Sequence, residues 1–323
     1  MPVQLHVQQF GEPHNKASGV RAHDTKNTES AYKMTEIKDI NGLQLRLNQL
    51  GEGLGTAYER YALNRFLEEI AEKRAIQSVL EFPANGVMGV PGLKSMVFAL
   101  HGISVTLANP SKKILQDARK LWSALGLSAS MVVCDLESSP FREESFDLCW
   151  NFCCFEHFKD PKNVVSEMKH CSKNYVLTEV QNIFNVGFIL HSLYHRIKGE
   201  AWDHGERKLM DWRRVSRVYK SCGLQNLEVD GNDMPPWPDI NMKVGELLMT
   251  QLDTQKVERC DFRPDVKTKT IEEIRDLWSK SPMENHSSPR MLFLRRWHDL
   301  VERLTPKRIR VFLCHHPYVI GVK

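Results

Sequence analysis

Short apolar runs alternate with segments of helical periodicity along most of the chain. Five runs bounded by polar or turn-forming residues predict strands at Ser78–Phe82, Ile103–Ala108, Ser130–Cys134, Ser145–Trp150 and Asn174–Glu179. Strands that alternate with helices at this spacing indicate parallel pairing and right-handed crossovers. The pattern therefore predicts an α/β fold with a doubly wound, mostly parallel sheet.

Capping residues predict where several helices begin and end. Thr56 and Glu59 have the spacing of a capping box, and apolar residues follow at helical spacing. Asp160-Pro161 begins another helix, and Asn109-Pro110 has the pattern of an N-cap before proline at the first helical position. Gly223 is placed to end a basic helix.

The pattern changes after Val180. Residues 182–210 are rich in histidine, aromatic residues and glycine, and Leu224–Val229 predicts a sixth strand. Residues 240–305 are mainly helical in pattern, and Arg310–Gly321 predicts a seventh strand. We therefore predict three parts: an N-terminal arm or cap (1–55), an α/β domain (56–232 plus 309–323) and a mainly helical insertion (233–308).

Composition excludes some classes of protein. A hydrophobic content of 41% in 323 residues is ordinary for a globular protein, and a net charge of +4 is too small to imply nucleic acid. No apolar run reaches membrane-spanning length, and Met1–His6 lacks a secretory pattern. The eight cysteines have no framework spacing, so we expect reduced thiols and a cytoplasmic protein.

A loop with glycines follows the first strand. After Glu81 the chain contains Gly86 and Gly89, and Pro91 precedes a helical pattern that starts at Leu93. Glycines allow close approach of a ligand, and a helix that begins at proline directs unpaired N–H groups toward an anion. Ligands of open parallel sheets bind beyond the carboxyl ends of the strands, so we expect a binding site here.

Two later segments carry a resemblance to a known family. Asp135 is followed by Pro140-Phe141 and then by Ser145-Phe146-Asp147, and a histidine, His157, precedes Asp160-Pro161. This order resembles the type 11 group of class I S-adenosylmethionine-dependent methyltransferases, and the ending from His315 is similar to their final strand. The resemblance covers about residues 56–230 and the last dozen. It implies their seven-stranded fold, their activity and S-adenosyl-L-methionine as cofactor.

The resemblance also implies positions for the parts of the cofactor. The acid ending the first strand and the loop after it hold the methionine end, the second strand's last residue holds the ribose, and the third strand's acid holds the adenine. The fourth strand ends beneath the methyl group. The implied residues are Glu81, Ala84, Asn85, Gly86, Gly89, Asn109, Asp135, Leu136, Asn151 and Phe152.

The chain departs from the family pattern at two places. Pro83 and Asn85 stand where the family usually has glycine, so the loop must follow a different path. Asn109 stands where the family usually has a carboxylate, and an amide offers one acceptor oxygen instead of two. Either cofactor affinity is lower, or the loop compensates.

The segment after the fifth strand commonly covers the acceptor in this fold. If the acceptor must lose a proton, His157 and His204 are the candidate bases, although each histidine could also have only a packing role. Trp237 could line the acceptor pocket or brace the insertion. The candidate pocket residues are Glu156, His191, His195, Trp202 and Trp237.

Other chemistries have weaker support. Cys153, Cys154 and His157 lack a second ligand cluster at zinc spacing, so we expect no metal site. Two basic segments, Arg207–Lys220 and Arg290–Arg310, are solvated helix faces by default, or they contact an anionic substrate or a membrane surface.

The leading hypothesis is a methyltransferase for a small-molecule or lipid-like acceptor, with peripheral membrane contact as an option. A non-catalytic interaction module that docks through residues 235–308 is the alternative, suggested by the altered loop and Asn109. An RNA methyltransferase is disfavoured, because the chain has no appended RNA-binding module and no Asn-Pro-Pro-aromatic run at the fourth strand. The sequence leaves the oligomeric state open.

Overall fold

A computed structural model describes residues 54–84, 92–199, 202, 204–234 and 289–323, with the side chains of a few of these residues excepted. All of these residues belong to one compact unit, Glu36–Lys323. Almost all of the predicted arm, most of the predicted insertion and residues 85–91 of the first loop lie outside the described residues.

Seven strands form one sheet, in the order β3-β2-β1-β4-β5-β7-β6. Strands β1 to β5 pair in parallel, whereas β7 lies antiparallel between β5 and β6. The strands are β1 (Ser78–Glu81), β2 (Ser104–Asn109), β3 (Ser130–Val133), β4 (Phe146–Phe152), β5 (Ser172–Glu179), β6 (Gln225–Asn232) and β7 (His316–Val322). This arrangement confirms the predicted doubly wound, mostly parallel sheet.

Helices cover both faces of the sheet. They are α1 (Leu54–Lys73), α2 (Met96–Leu100), α3 (Lys112–Ala124), α4 (Pro161–Cys171), α5 (Val186–Lys198), α6 (Trp212–Ser221), α7 (Pro289–Leu304) and α8 (Lys307–Leu313). None of the helices in these described segments combines the length and the apolar character that crossing a bilayer requires.

Alternate strand residues enter two separate cores. Val79, Leu148 and Trp150 pack with α1, α2 and α3 on one face of the sheet. Leu80 and Cys149 pack with α4 and α6 on the other face. Successive side chains of a strand point to opposite faces, so a central strand covered on both sides is apolar at nearly every position. This is why the sequence pattern located these strands.

Three predicted helix starts are wrong. Helix α1 already includes Leu54, so Thr56 does not cap it, and the Glu59 carboxylate instead accepts a hydrogen bond from Lys94. Helix α2 begins only at Met96, so Pro91 does not open it. Ser111, and not Asn109, is the N-cap of α3.

The predicted last strand is wrong in its first part, because residues 307–313 form helix α8 and β7 begins at His316. The helix is held by Arg310, whose guanidinium donates to both carboxylate oxygens of Asp230 on β6.

Helix α5 was not predicted. It is capped by Asn185, whose side chain accepts from Gly187 N–H, and it ends at the left-handed Gly199. Of the predicted helical insertion, the described part contains α7.

Candidate active site

The carboxyl ends of the parallel strands meet at one edge of the sheet. Glu81, Phe152 and Glu179 end the neighbouring strands β1, β4 and β5. Because β7 is antiparallel, its first residue, His316, lies at this same edge, opposite Asn232. The edge therefore gathers polar side chains from segments that are far apart in sequence.

Glu81 is buried and held in place. Its carboxylate accepts a hydrogen bond of 2.5 Å from the Ser95 hydroxyl, which itself accepts one of 3.2 Å from the Trp150 indole N–H. Burial raises the pKa of Glu81 to about 8, although Ser95 and the charge of Lys94 act to lower it. A carboxylate in this position would be stabilised by a nearby cation.

Lys94 is a buried cation at the centre of this region. Its ammonium lies 3.1 Å from the Glu59 carboxylate and contacts the face of the Phe152 ring. The side chains of Lys94 and Glu59 are only 2% and 9% exposed, so the pair is shielded from water. Burial raises the pKa values of Glu156 and Glu179 and the same ammonium opposes that rise, so all these groups share one electrostatic neighbourhood.

Glu156 and Glu179 are two further buried carboxyls. Burial raises the pKa of each to about 8, and backbone N–H groups partly offset this for Glu156. Asn232 donates to one oxygen of Glu179 at 2.8 Å. The other oxygen of Glu179 and one oxygen of Glu156 have no hydrogen-bond partner in the described part of the chain. The region thus holds more acidic groups than Lys94 can neutralise.

Asn109 ties the first loop to β2. Its amide nitrogen donates to the Ala84 carbonyl at 3.1 Å, and its amide oxygen accepts from Ser111 N–H at 2.7 Å. Ala84 N–H also donates to the Ala108 carbonyl, which fixes the start of the loop against β2. The role predicted for Asn109 toward a ribose stays a prediction, and its acceptor oxygen already serves this turn.

Asp135 follows the edge strand β3 and is exposed. Its carboxylate accepts from Glu137 N–H at 2.7 Å, and Leu136 packs against the second core. Asn151 is fully buried on the other side of the sheet from Glu81, where its amide donates toward Phe82 O and Met168 Sδ at 3.3 Å each. Asn151 therefore braces strand ends, and its role toward the cofactor stays a prediction.

The predicted histidines differ in position. His157 is exposed in the 3₁₀ turn Phe155–His157, whereas its neighbour Glu156 is buried. His204 lies 3.3 Å from His195 between the ring nitrogens, and the Trp202 ring is 4.9 Å from that of His204. The structure therefore brings His195, Trp202 and His204 together.

The segment that carries Trp202 and His204 rests on the turn after β4. Glu206 N–H donates to the Glu156 carbonyl at 2.8 Å, and a Cβ added at Gly205 would lie 2.7 Å from that oxygen. The Trp202 indole donates to the Gly205 carbonyl, which stiffens the segment. This packing places the segment that is predicted to cover the acceptor next to Glu156.

Some of the predicted site residues are not among those that the structure describes. Asn85, Gly86, Gly89 and Trp237 lie outside the described residues, and His191 belongs to α5 although its side chain is not described. Several residues of the edge were not predicted as site residues: Glu59, Lys94, Glu179, Asp233, His315 and His316. Glu179 could have been found, because it ends a strand in the same way as Glu81.

The site fits a cationic cofactor. Glu81 ends β1 as the family pattern requires, and its carboxyl belongs to a buried group with excess acid. The methionine ammonium and the sulfonium of S-adenosylmethionine are both cations, so both would be stabilised there. Glu81 and the start of the loop at Ala84 are the described residues that would hold the methionine end.

Comparisons with known proteins agree with this fold. Residues 88–175 match a family model described as a methyltransferase domain. A search of curated proteins finds no match. The match lies within the sheet described above, whose strand order is that of the class I S-adenosylmethionine-dependent methyltransferase fold.

Solved structures of low identity are similar to the chain. A methyltransferase from Thermotoga maritima is 11% identical, with 86% of this chain and 97% of that one covered and a TM-score of 0.45. One from Aquifex aeolicus is 15% identical, with 58% and 92% covered and a TM-score of 0.42. The phosphoethanolamine N-methyltransferase 2 of Haemonchus contortus is 18% identical, with 76% and 48% covered and a TM-score of 0.40. With such low identities and TM-scores, none of these structures indicates which acceptor this chain uses.

Proposed function

We propose that the protein is an S-adenosylmethionine-dependent methyltransferase that acts on a small-molecule or lipid-like acceptor at the carboxyl edge of β1, β4 and β5. The observation that carries the proposal is the group of buried carboxyls, Glu81, Glu156 and Glu179, whose pKa values all respond to the ammonium of Lys94. When bound, the cofactor supplies an electrophilic methyl group on a cationic sulfur. The transfer is an in-line displacement, so the chain's main contribution is to position the reactants and exclude water.

A lipid-like acceptor is supported by the surface next to this edge. One face of α5 carries apolar side chains at helical spacing, and each is between 45% and 74% exposed: Val186, Ile189, Leu190, Leu193 and Ile197. An exposed apolar stripe beside a site is typical of surfaces that contact lipids or partners. The rings of Phe188 and His195 on this helix lie 5.3 and 5.6 Å from the Trp202 ring between centroids, so the helix adjoins the segment that packs on Glu156.

Glu156 is better placed than His157 to take a proton from the acceptor. Its carboxyl is buried near Lys94, one oxygen has no partner among the described residues, and its pKa of about 8 lies near the working pH of a general base. For an acceptor that must lose a proton, Glu156→Gln should lower kcat by about 100-fold or more. His157→Gln is the matched control and should change kcat little.

The pH dependence of the rate is a second test of Glu156 as the general base. The wild-type rate should rise with pH until Glu156 is ionised, at about pH 8. The Glu156→Gln variant should lack this rise. A large loss in His157→Gln with normal activity in Glu156→Gln would return the role to His157.

Binding and transfer experiments test the function itself. Calorimetry on the full chain should detect both S-adenosylmethionine and S-adenosylhomocysteine, and absence of binding at about 1 mM would reject the proposal. With methyl-labelled cofactor, label should move into the small-molecule fraction of a cell extract or into extracted lipids supplied as vesicles. Label that enters only RNA or protein would overturn the proposed acceptor class.

A further inference from the structure

Four potential metal ligands lie together at the β6–β7 end of the site. They are Glu59 of α1, Asp233 just after β6, and His315 and His316 at the start of β7, and all four are buried. One ligand atom from each lies within 4.8 Å of those of the other three. No two of the three segments are near in sequence, so only the fold assembles this group.

Asp233 is the centre of the group. Its Oδ2 lies 3.2 Å from His315 Nδ1 and 3.4 Å from His316 Nδ1, while the two imidazole rings are 4.2 Å apart between centroids. Its other oxygen, Oδ1, has no hydrogen-bond partner within the described ranges, although the residue is 99% buried (1% exposed). A buried carboxylate oxygen without a partner is costly, and a bound cation would remove that cost.

We propose that Glu59, Asp233, His315 and His316 bind a divalent first-row transition metal ion of the zinc class. Two imidazoles with two carboxylates form a ligand set that suits zinc and iron(II) better than calcium or magnesium, which take mainly oxygen ligands. This site lies apart from Cys153 and Cys154, and it revises the expectation that the chain has no metal site.

The surroundings are consistent with a bound cation. Asp233 has a left-handed backbone (φ 63°), a conformation that costs energy in a residue other than glycine and is often kept at functional positions. One oxygen of Glu59 accepts a hydrogen bond from Lys94 at 3.1 Å, and the acidic ligands of a metal commonly have such a second partner.

The ion would lie next to the reacting end of the site. The His316 ring is 4.6 Å from the ring of Phe152 at the end of β4, where the methyl group is expected. If the proposed function holds, the ion could bind the acceptor's oxygen, nitrogen or sulfur atom and lower its pKa. Metal binding itself does not depend on the proposed function.

Metal titration of the full chain tests the site without any activity assay. After removal of metal by a chelator, calorimetry with zinc should show about one ion bound per chain. His316→Gln and Asp233→Asn should weaken binding by about 100-fold or more, since loss of an outer partner alone costs about 10- to 100-fold. His101→Gln, a histidine exposed at the end of α2, is the control and should bind zinc as the wild type does.

A spectroscopic measurement on the unmodified protein covers the case in which a variant fails to fold. X-ray absorption of the zinc-loaded chain should show nitrogen and oxygen ligands with scattering from two imidazoles. A shell that contains sulfur would place the ion at the cysteines and overturn the proposal. Failure of the wild-type chain to bind zinc, or unchanged affinity in both ligand variants, would overturn it as well.

Discussion

Glu81 shows how one buried side chain makes the stability of the protein depend on pH. Its pKa is raised from 4.5 to about 8 in the folded chain, chiefly by burial. Between these two values the folded chain retains a proton that the unfolded chain has released. The contribution of Glu81 to stability is therefore present below the unfolded pKa and is lost as pH rises through the folded pKa.

We predict that Glu81→Gln makes the stability of the cofactor-free protein less dependent on pH. One proton corresponds to about 1.4 kcal/mol of unfolding free energy per pH unit. The fall of the unfolding free energy between about pH 5 and about pH 8 should therefore be less steep in the variant, by up to this amount per pH unit. Urea-induced unfolding followed by circular dichroism over this range measures it. Glu72→Gln, on the exposed face of α1, is the control, and equal slopes in all three proteins would contradict the prediction.

At the scale of elements, the contact between the segment around Gly205 and the turn after β4 positions Glu156. Gly205 has a φ of 91°, and the space beside it is filled by the backbone and side chain of Glu156. Gly199, at the end of α5, has a φ of 68° with nothing within 4 Å of an added Cβ. Both glycines have left-handed backbones, but only Gly205 has close neighbours. Substituting each in turn therefore distinguishes the effect of backbone strain from the effect of a steric clash.

We predict that Gly205→Ala is clearly more harmful than Gly199→Ala. The Gly199 variant should lose about 1 kcal/mol through left-handed strain, and the Gly205 variant about 1–3 kcal/mol more through the clash. Denaturant midpoints measure the difference. Methyl transfer should fall only in the Gly205 variant, because the segment moves away from Glu156. Equal losses in the two variants would show that this contact is not close in solution.

For the molecule as a whole, a buried ion pair joins α8 to the sheet. The Asp230 side chain on β6 is 2% exposed, and Arg310 donates to both of its oxygens. Arg310→Met should destabilise the protein by up to about 3–5 kcal/mol, because the buried Asp230 carboxylate then keeps only the exposed Lys307, at 3.5 Å, as an ion-pair partner among the described residues. The double variant Asp230→Asn with Arg310→Met should recover part of the loss. Thermal or urea unfolding of Arg310→Met, Asp230→Asn and the double variant tests this, and additive losses would exclude direct coupling.

The sheet could be predicted because its central strands are buried on both faces and therefore consist of apolar runs. Local signals failed where tertiary contacts decide the structure. Residues 310–313 have an apolar pattern typical of a strand. They nevertheless lie in helix α8, where Arg310 forms an ion pair with Asp230. Ser111 caps α3 because the oxygen of Asn109 is used by the Ser111 N–H.

Residues of the candidate site could be predicted only where they are the last residue of a strand, as Glu81 is. His157 and Glu156 are adjacent in sequence, and no local pattern indicates that the glutamate and not the histidine is buried. Lys94 and Glu59 are 35 residues apart, and His315 and Asp233 are 82 apart. Such pairs exist only after the strands are in place, so the strand order must be known before they can be inferred.

The insertion of β7 between β5 and β6 has a consequence for synthesis on the ribosome. The described pairing of β6 is with β7, which is translated later, after the whole of residues 233–315. Until β7 emerges, β5 has an open edge and β6 has no place in the sheet, so both present unpaired backbone to other chains. The nascent protein should therefore depend on chaperones or on fast translation through this stretch, and ribosome stalling before residue 316 should promote its aggregation.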